Sequence, residues 1–591
     1  MMMLAGHPLS ILQIGYLLVA VALVVGWRQW QADRRAAAGT ALVTIAMLGI
    51  GAALAMVQLL PSLHLSAQTE RAGFSYAEAS DSSYAPYWAV TLLLPNFFAA
   101  DGPAAYWAAG DPAETNLYLG LLPLALAALG VVRPCAEDRR MTLFLGAGAL
   151  VTLLLAFGAF AWPYRLAYDL LPGFDRVRRP GNYVALTQFA LALLAAYGVK
   201  ALAELADDAE RWRALASWIR RGVLLAGVAG GLVALGLVYA AGGPAHQPLV
   251  TVMNGLVIAG VVLLAVLAVL HGRLHGVVST RTALLLLVLI VAVDLGSAFE
   301  GVVYRDDEAH PSSYIGRDWA GSPSDPAVPR LLAEQAAAAP GRFRFYPLGT
   351  TSVWANGSLV WGLESAAGYV VLCPVTYCDV LRPAMADPTS PLFDLLNIRY
   401  LLTGQPLEEL QLGGDRSKFH LVQDGPPYIY ENRASFPRAW VVHESIQVSP
   451  DESRDYVRAH AAELRERVVL TEPAPQADAP PLAAPGTVEI TSYEHTRVDL
   501  RATMPAAGFV VLADIYYPGW EARVNGAPAH IYRANHAFRA VWLPAGEHEI
   551  EFRFHLPGLR TGAVISLIGG IAICGLIIAG LAQSRAARLR S

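Results

Sequence analysis

GAVISLIGGIAICGLIIAGL, residues 562–581, runs for twenty positions without a charge, and the tail that follows carries Arg585, Arg588 and Arg590. A bilayer core of about 30 Å takes about 20 apolar residues of helix to cross. The stretch therefore predicts a membrane-spanning helix. Arginine and lysine collect on the cytoplasmic side of a membrane, so the tail is predicted to lie inside. The rest of the chain has a matching composition: 55% is hydrophobic and only 15% is charged. A soluble domain carries about 25% charge, so much of this chain needs an apolar solvent. The formal net charge of -5 argues against a nucleic-acid partner.

Working backward from that last span, similar apolar runs lie near 282–299, 249–270, 222–241, 183–202, 141–160, 116–132, 37–60 and 11–27. Alternate connections hold the basic residues: Arg273 and Arg281; Lys200, Arg211, Arg213, Arg220 and Arg221; Arg133, Arg139 and Arg140; Arg28, Arg34 and Arg35. Simple alternation puts each of these inside. The prediction is a polytopic α-helical protein of the plasma membrane with about nine transmembrane helices. A membrane domain of about eight helices fills 1–300, with external loops 61–115 and 161–182. The last helix, 561–583, precedes a cytoplasmic tail, 584–591. The connection 201–221, with Trp212 and Trp218, predicts an amphipathic helix on the inner surface. The same register puts the N-terminus outside, although Met1–Ser10 lacks the basic head of a signal peptide.

One external connection breaks the charge rule. Between the fourth and fifth spans stand Arg165, Arg176, Arg178 and Arg179, close to Pro172, Gly173, Pro180 and Gly181. Guanidinium groups grip phosphate bidentately, which would explain arginines gathered at an outer membrane surface. Pairing with Asp169 and Asp175, or with lipid headgroups, explains them equally well. The long loop 61–115 adds Arg71 and the carboxylates Glu78, Asp111 and Glu114 among many aromatics. Its apolar run 87–98 is too short to span and is expected at the outer interface. Within the spans, Asp294 is the clear carboxylate; it would orient an external arginine or cap its own helix end. So few ionisable groups at membrane depth fit surface chemistry better than coupled transport.

Between the last two spans the composition becomes that of a soluble protein. Residues 301–470 mix strand-like runs (342–346, 398–402) with helical ones and predict an exported α/β domain. A Pro/Ala-rich linker, 471–485, leads to period-two runs within 486–556, with turn signals at Asn525-Gly526 and Pro544–Gly546. These predict a small antiparallel β-sandwich. Tyr517 and Trp520 could stack on sugar rings, or fill a core or corner of the sandwich. Cys373 and Cys378 would form a small-loop disulfide in an oxidising compartment, or remain two buried thiols. No metal-ligand cluster, phosphate loop, nucleophile elbow or dinucleotide fingerprint is present in the sequence. The acidic run at Asp306–Glu308 is the kind that usually forms a solvated turn.

Several short stretches together resemble the YfhO family of bacterial membrane proteins, which are similar to GT-C-type glycosyltransferases. They are Leu4–Pro8, Arg71–Glu78 with Leu94–Phe97, Glu114–Pro123, Arg178–Asn182, Asn397–Tyr400, Tyr516–Trp520, Tyr532–Phe538 and Pro544–Gly546. The resemblance implies a GT-C-like membrane fold. It also implies transfer of a sugar from a polyprenyl-phosphate carrier to a cell-envelope glycan or polymer, such as lipoteichoic acid or polysaccharide, on the outer face. The polyprenyl-phosphate-linked sugar would be the donor, with no certain cofactor and no metal implied. Arg176, Arg178 and Arg179, with Arg71, would hold the lipid phosphate. Glu78, Asp111 or Glu114 would be the acidic partner of the acceptor. The expected partners are the bilayer, the lipid-linked sugar, the glycan acceptor and a glycosyltransferase that charges the carrier. In the family, helices and a catalytic loop precede the Leu-Ala-Gly-His-Pro segment, so this chain is expected to lack that front part. A non-catalytic scaffold or glycan-binding protein is the alternative expectation.

Overall fold

The computed structural model describes residues 8–98, 116–205, 246–300, 342–348, 362–368, 372–425, 428–475 and 486–588, with isolated positions between 217 and 236. Among these, seven helices are long and apolar enough to cross a membrane: Leu9–Trp30, Arg34–Leu54, Arg139–Ala156, Pro180–Leu202, Leu249–Arg273, Thr280–Ala298 and Leu559–Arg585. Their large side chains point outward, as with Leu23, Leu42, Leu285 and Leu567, each more than 60% exposed. Such surfaces require lipid. The chain is a polytopic helical membrane protein with a sheet-rich C-terminal region.

The expected count of nine spans is not reached among the described residues, for three reasons. The run near 222–241 lies mostly outside them, as does the amphipathic connection 201–221 beyond Leu205. The run 116–132 is helical only over Leu121–Val132. Its first residues are drawn into an extended turn, where the Asn116 side chain accepts from Tyr118 N–H and Gly120 takes a φ of 97°. The run 37–60 is two helices, Arg34–Leu54 and Met56–Ala67, interrupted at Ala55. Ser566 of the last helix repairs the interruption, because its hydroxyl accepts from Val57 N–H at 2.9 Å and donates to the Ala53 carbonyl at 3.1 Å. Backbone groups freed inside a bilayer need such a partner.

By contact the chain divides into two compact units: Met1–His7, Gly15–Ala72 and Glu308–Ser591 in one, Pro8–Ile14 and Gly73–Asp307 in the other. In the first, the helix Leu559–Arg588 lies along the interrupted pair. Gly562 faces the Met56 carbonyl there, where a Cβ would come within 2.3 Å, and Gly569 sits close against Ala53. In the second, Leu121–Val132 packs against Val184–Leu205, and a Cβ on Gly130 would come within 2.6 Å of the Leu194 carbonyl. Small residues let helix backbones approach when no hydrophobic force separates lipid from protein.

The sheet-rich region holds fifteen strands in three sheets. The first sheet has the order β1-β2-β4-β3, with β1 Arg344–Leu348, β2 Ile398–Thr403, β3 Phe419–Gln423 and β4 Tyr428–Asn432. β1 and β2 are parallel and the other pairs antiparallel. The second sheet runs β5-β10-β14-β13-β7-β6, using β5 Ala439–Val442, β6 Glu444–Gln447, β7 Arg467–Leu470, β10 Gly508–Ile515, β13 Tyr532–Ala534 and β14 Phe538–Leu543. The third is β12-β11-β15-β9-β8, from β8 Thr487–Glu494, β9 Arg497–Met504, β11 Trp520–Val524, β12 Ala527–Ala529 and β15 Gly546–Phe554. Val498, Leu500, Ile550 and Phe552 of the third sheet bury themselves against Val510, Leu512, Val541 and Leu543 of the second. Each such side chain contributes about 1.5–3 kcal/mol on burial.

That arrangement corrects the expected division into an α/β domain, 301–470, and a separate sandwich, 486–556. Strands β5, β6 and β7 precede the linker yet complete the sandwich's second sheet. The reason lies in β10, whose sequence GFVVLADI is buried on both faces through Asp514. Such a strand needs neighbours on both edges, and β5 supplies the one that β14 does not. The other face of the second sheet meets a second core, with Leu395, Leu396, Val457 and Leu464 packed beside Val511, Ala513 and Phe538. Of the linker, residues 476–485 lie outside the described residues, as do 301–341.

Candidate functional site

The arginine-bearing connection 157–183 is locked to residues 74–84 by paired backbone bonds. Phe74 N–H donates to the Asp175 carbonyl at 2.7 Å, Arg179 N–H to Asp81 and Gly181 N–H to Ser82, both at 3.2 Å. Side chains add to this: Tyr168 donates to the Phe74 carbonyl and Tyr164 to that of Ala79, at 2.7 and 2.9 Å. Rings of Tyr76, Tyr164, Tyr168, Phe174 and Tyr183 form a continuous series, with Phe174 and Tyr183 stacked at 6.0 Å. Gly158, at a φ of 50°, sits against Ser83 and Pro180, and the Ser83 hydroxyl accepts from Ala159 N–H.

On this frame the arginines differ. Arg165 pairs with Asp169 at 2.8 Å and lies over the Tyr76 ring at 4.6 Å. Arg176 is exposed, its Nε 4.0 Å from Asp175. Arg178 is also exposed, and Arg179 is half-buried. The Arg179 backbone has a φ of 67°, opposite Ser82 at 56°. A left-handed non-glycine residue costs about 1–2 kcal/mol, and such strain gathers at functional sites. Two guanidinium groups thus face solvent from a turn that the surrounding bonds hold fixed.

The remaining expected residues scatter. Glu78 caps the short helix Tyr76–Ala79, accepting from Ser75 N–H and Oγ at 2.8 and 2.6 Å. Those bonds hold its carboxyl below the usual range, which suits a cap better than a proton acceptor. Asp111 and Glu114 lie outside the described residues. Arg71 belongs to the other compact unit, in the turn Glu70–Ala72. Asp294 is buried. Among the described residues it reaches no arginine, and it stands inside its own helix, Thr280–Glu300, not at its end; it accepts from Tyr118 OH at 2.5 Å and from Leu121 N–H at 3.0 Å. It therefore caps the helix that starts at Leu121, where the backbone dipole favours an anion.

In the sandwich, Trp520 is half-buried against Phe554, with the Arg539 guanidinium 3.7 Å over its ring. One face of the indole is thus occupied. Tyr517 leans on the same Phe554, ring centres 6.0 Å apart. Sequence reading missed what lies behind them. The buried Asp514 carboxylate meets Arg344 and Arg539 at 3.0 Å each, Arg438 at 3.7 Å and the Tyr493 hydroxyl at 2.9 Å. Burial alone would raise this carboxyl, but Arg438, Arg539 and Arg344 outweigh it and keep it below the ordinary range. A second missed group joins His536 to Ser453 Oγ at 2.7 Å and to Asp379 at 3.2 Å. Ser453 is wholly buried, so the trio is built as a joint and not as a nucleophile. Cys373 and Cys378 are joined in a disulfide, which decides between the two readings of that pair. Just beyond it, Val375 N–H bonds to the Gln68 carbonyl, and Arg382 pairs with Glu70. No group of histidine, cysteine and carboxylate fit for a metal occurs among the described residues.

Residues 484–566 match the family model described as bacterial membrane protein YfhO. Over that stretch the chain is similar to that family. The match covers the third sheet, strands β10, β13 and β14 of the second, and about the first two turns of the last helix. It thus includes Trp520 and, from the two missed networks, Asp514, Arg539, Tyr493 and His536, while Arg344, Arg438, Ser453 and Asp379 lie before it; the YfhO resemblance read from the sequence is found there. No curated protein and no solved structure matches the chain.

Proposed function

We propose that this YfhO-type protein is a membrane glycosyltransferase. In this reading it moves a sugar from a polyprenyl-phosphate carrier to a cell-envelope glycan on the outer face of the plasma membrane. The observation that carries the proposal is the fixed turn 173–182, which presents Arg176 and Arg178 to solvent beside the half-buried, strained Arg179. Charge-assisted bonds from these guanidinium groups would neutralise the phosphate as it leaves the sugar, and a site already fixed reorganises little as that charge develops. Charge alternation along the loops supports an external position for the turn, a cytoplasmic tail and an exported sheet-rich region. YfhO proteins are usually linked to glycosyltransferase-like activity, which agrees. With Glu78 engaged as a cap, Asp111 and Glu114 are the better candidates for the acid that activates the acceptor. The test is the double variant Arg178→Ala with Arg179→Ala in cells. It should abolish glycan modification while membrane insertion is kept; unchanged envelope glycan would overturn the reading.

A further inference from the structure

The helix Trp162–Leu170 is built the wrong way round for a protein in water. Tyr164 and Ala167 face inward and are buried. The outward face carries Trp162, Leu166 and Leu170, which are 74%, 49% and 68% exposed, and Phe160 just before them is 60% exposed. These three recur every four residues and form one stripe. At nine residues the helix is about 14 Å long, less than half of a bilayer core, so it cannot span.

Its surroundings decide what covers the stripe. The spanning helix Arg139–Ala156 ends six residues before it, and the spanning stretch Pro180–Leu202 begins ten residues after it. Both flanks are therefore tied to one membrane surface. Aromatic side chains concentrate at that depth, where a ring is apolar on one side and wet on the other. The charge is complementary as well. Arg165 shares the outward face, Arg176 and Arg178 follow in the same connection, and the sequence between residues 162 and 182 holds four arginines and two carboxylates, Asp169 and Asp175. An apolar stripe bordered by arginines matches the boundary between acyl chains and phosphates.

We infer that Trp162–Leu170 lies in the outer leaflet's interface as a lipid-facing anchor and sets Arg176 and Arg178 at the depth of lipid phosphates. The occupant of the stripe is the bilayer itself, with anionic lipid favoured. This rests on the external position proposed above and adds to it: the phosphate reaches the turn from within the leaflet and not from bulk water. Unlike the spanning helices, this anchor would hold its depth through side chains on a single face.

The test uses the full chain with Cys135→Ala and Cys574→Ala and its disulfide kept, so that single spin labels can be placed by Leu166→Cys, Leu170→Cys or Arg178→Cys. Each is reconstituted into vesicles of phosphatidylcholine alone or of equal parts phosphatidylcholine and phosphatidylglycerol. Accessibility to dissolved oxygen, which enters lipid, is compared with that to a water-soluble nickel chelate. The expected result is an oxygen-to-chelate ratio several-fold higher at 166 and 170 than at 178, with the label at 178 more shielded from chelate in the anionic vesicles. Chelate access at 166 and 170 equal to that at 178 would overturn the anchor, because the stripe would then face water. Labels immobile and closed to both reagents would overturn it too, because a second copy or another protein would cover the stripe. None of these readings uses activity. An interfacial helix with unchanged glycan in the double arginine variant would sink the proposed function alone, and loss of glycan with a water-facing helix would sink the anchor alone.

Discussion

Replacing Asp514 with asparagine keeps its shape and removes the charge on which Arg344, Arg438 and Arg539 converge. All three guanidinium groups are at least nine-tenths buried, so water cannot take over. Deleting one partner from a buried ionic group costs about 3–5 kcal/mol, because charge is left uncompensated; Arg438 keeps a second carboxylate in Glu364, so the loss falls mainly on Arg344 and Arg539. At roughly tenfold per 1.4 kcal/mol, amides of β10 and β14 should exchange about a hundred to several thousand times faster. The assay is hydrogen exchange read by mass spectrometry on the full chain in nanodiscs, followed in peptides covering 508–515 and 538–543. Arg342→Ala, which removes an arginine that is 41% exposed, should change the same peptides by less than about 1 kcal/mol. An acceleration below about tenfold for Asp514→Asn would refute the idea that this carboxylate holds the two sheets and β1 together. The sign with pH follows from its lowered carboxyl. Its contribution is complete above the unfolded carboxylate value of about 3.9 and disappears only as pH falls through its lower folded value.

Acidification should act earlier at His536. Burial first, with Arg533 and Arg454 adding, pushes its imidazole below the ordinary value, and the bond to Asp379 only partly offsets this. The stability it carries is present above about 6.5 and lost as pH falls below that toward the lower folded value, so the loop 535–537 should lose exchange protection on acidification below about pH 6.5. His536→Gln should flatten that dependence. Gly198→Ala would drive a methyl into the Leu126 carbonyl and force apart the helices Leu121–Val132 and Val184–Leu205. A loss of about 1–3 kcal/mol is expected, measured as a lower midpoint of unfolding in detergent. Ser566→Ala leaves Val57 N–H and the Ala53 carbonyl without their partner at the interruption. It should cost about 1–2 kcal/mol in the same assay, and Ser566→Thr should retain most of the stability.

The membrane architecture was legible because a span needs only length and apolarity, and both are one-dimensional properties of the sequence. Reading failed where local backbone chemistry intervened. Gly120 and Asn116 cut a predicted span short, and a break at Ala55 divided another although every residue around it is apolar. The strands of the sandwich could be read from alternation, as in Glu549–Phe554. The participation of β5 and β7 could not, because a strand's partner across a linker leaves no periodic trace. Asn535-His536 is a left-handed pair between two strands, at φ of 48° and 68°. Histidine in the second place hides the turn that glycine announces at Asn525-Gly526. At the candidate site, the arginines stood out because charge alternation reads their connection as external, where arginine is scarce. Glu78 was a capping box in plain view, Ser75-Tyr-Ala-Glu78, whose spacing already favoured a structural role. The Asp514 group had no such signal, since its members are spread from 344 to 539 and meet only through the sheets.

Direct binding of a polyprenyl phosphate to the full chain in nanodiscs tests the central claim most closely, with wild type compared against Arg176→Ala, Arg178→Ala and the Arg178→Ala, Arg179→Ala pair. Each charge-assisted contact is worth about 1.5–3 kcal/mol, so the pair should bind about a hundredfold or more weakly and each single variant about tenfold or more. The uncharged polyprenol should bind all forms alike. Equal affinity of wild type and the double variant for the phosphate would contradict the account, because the exposed guanidinium groups would then not be what receives it.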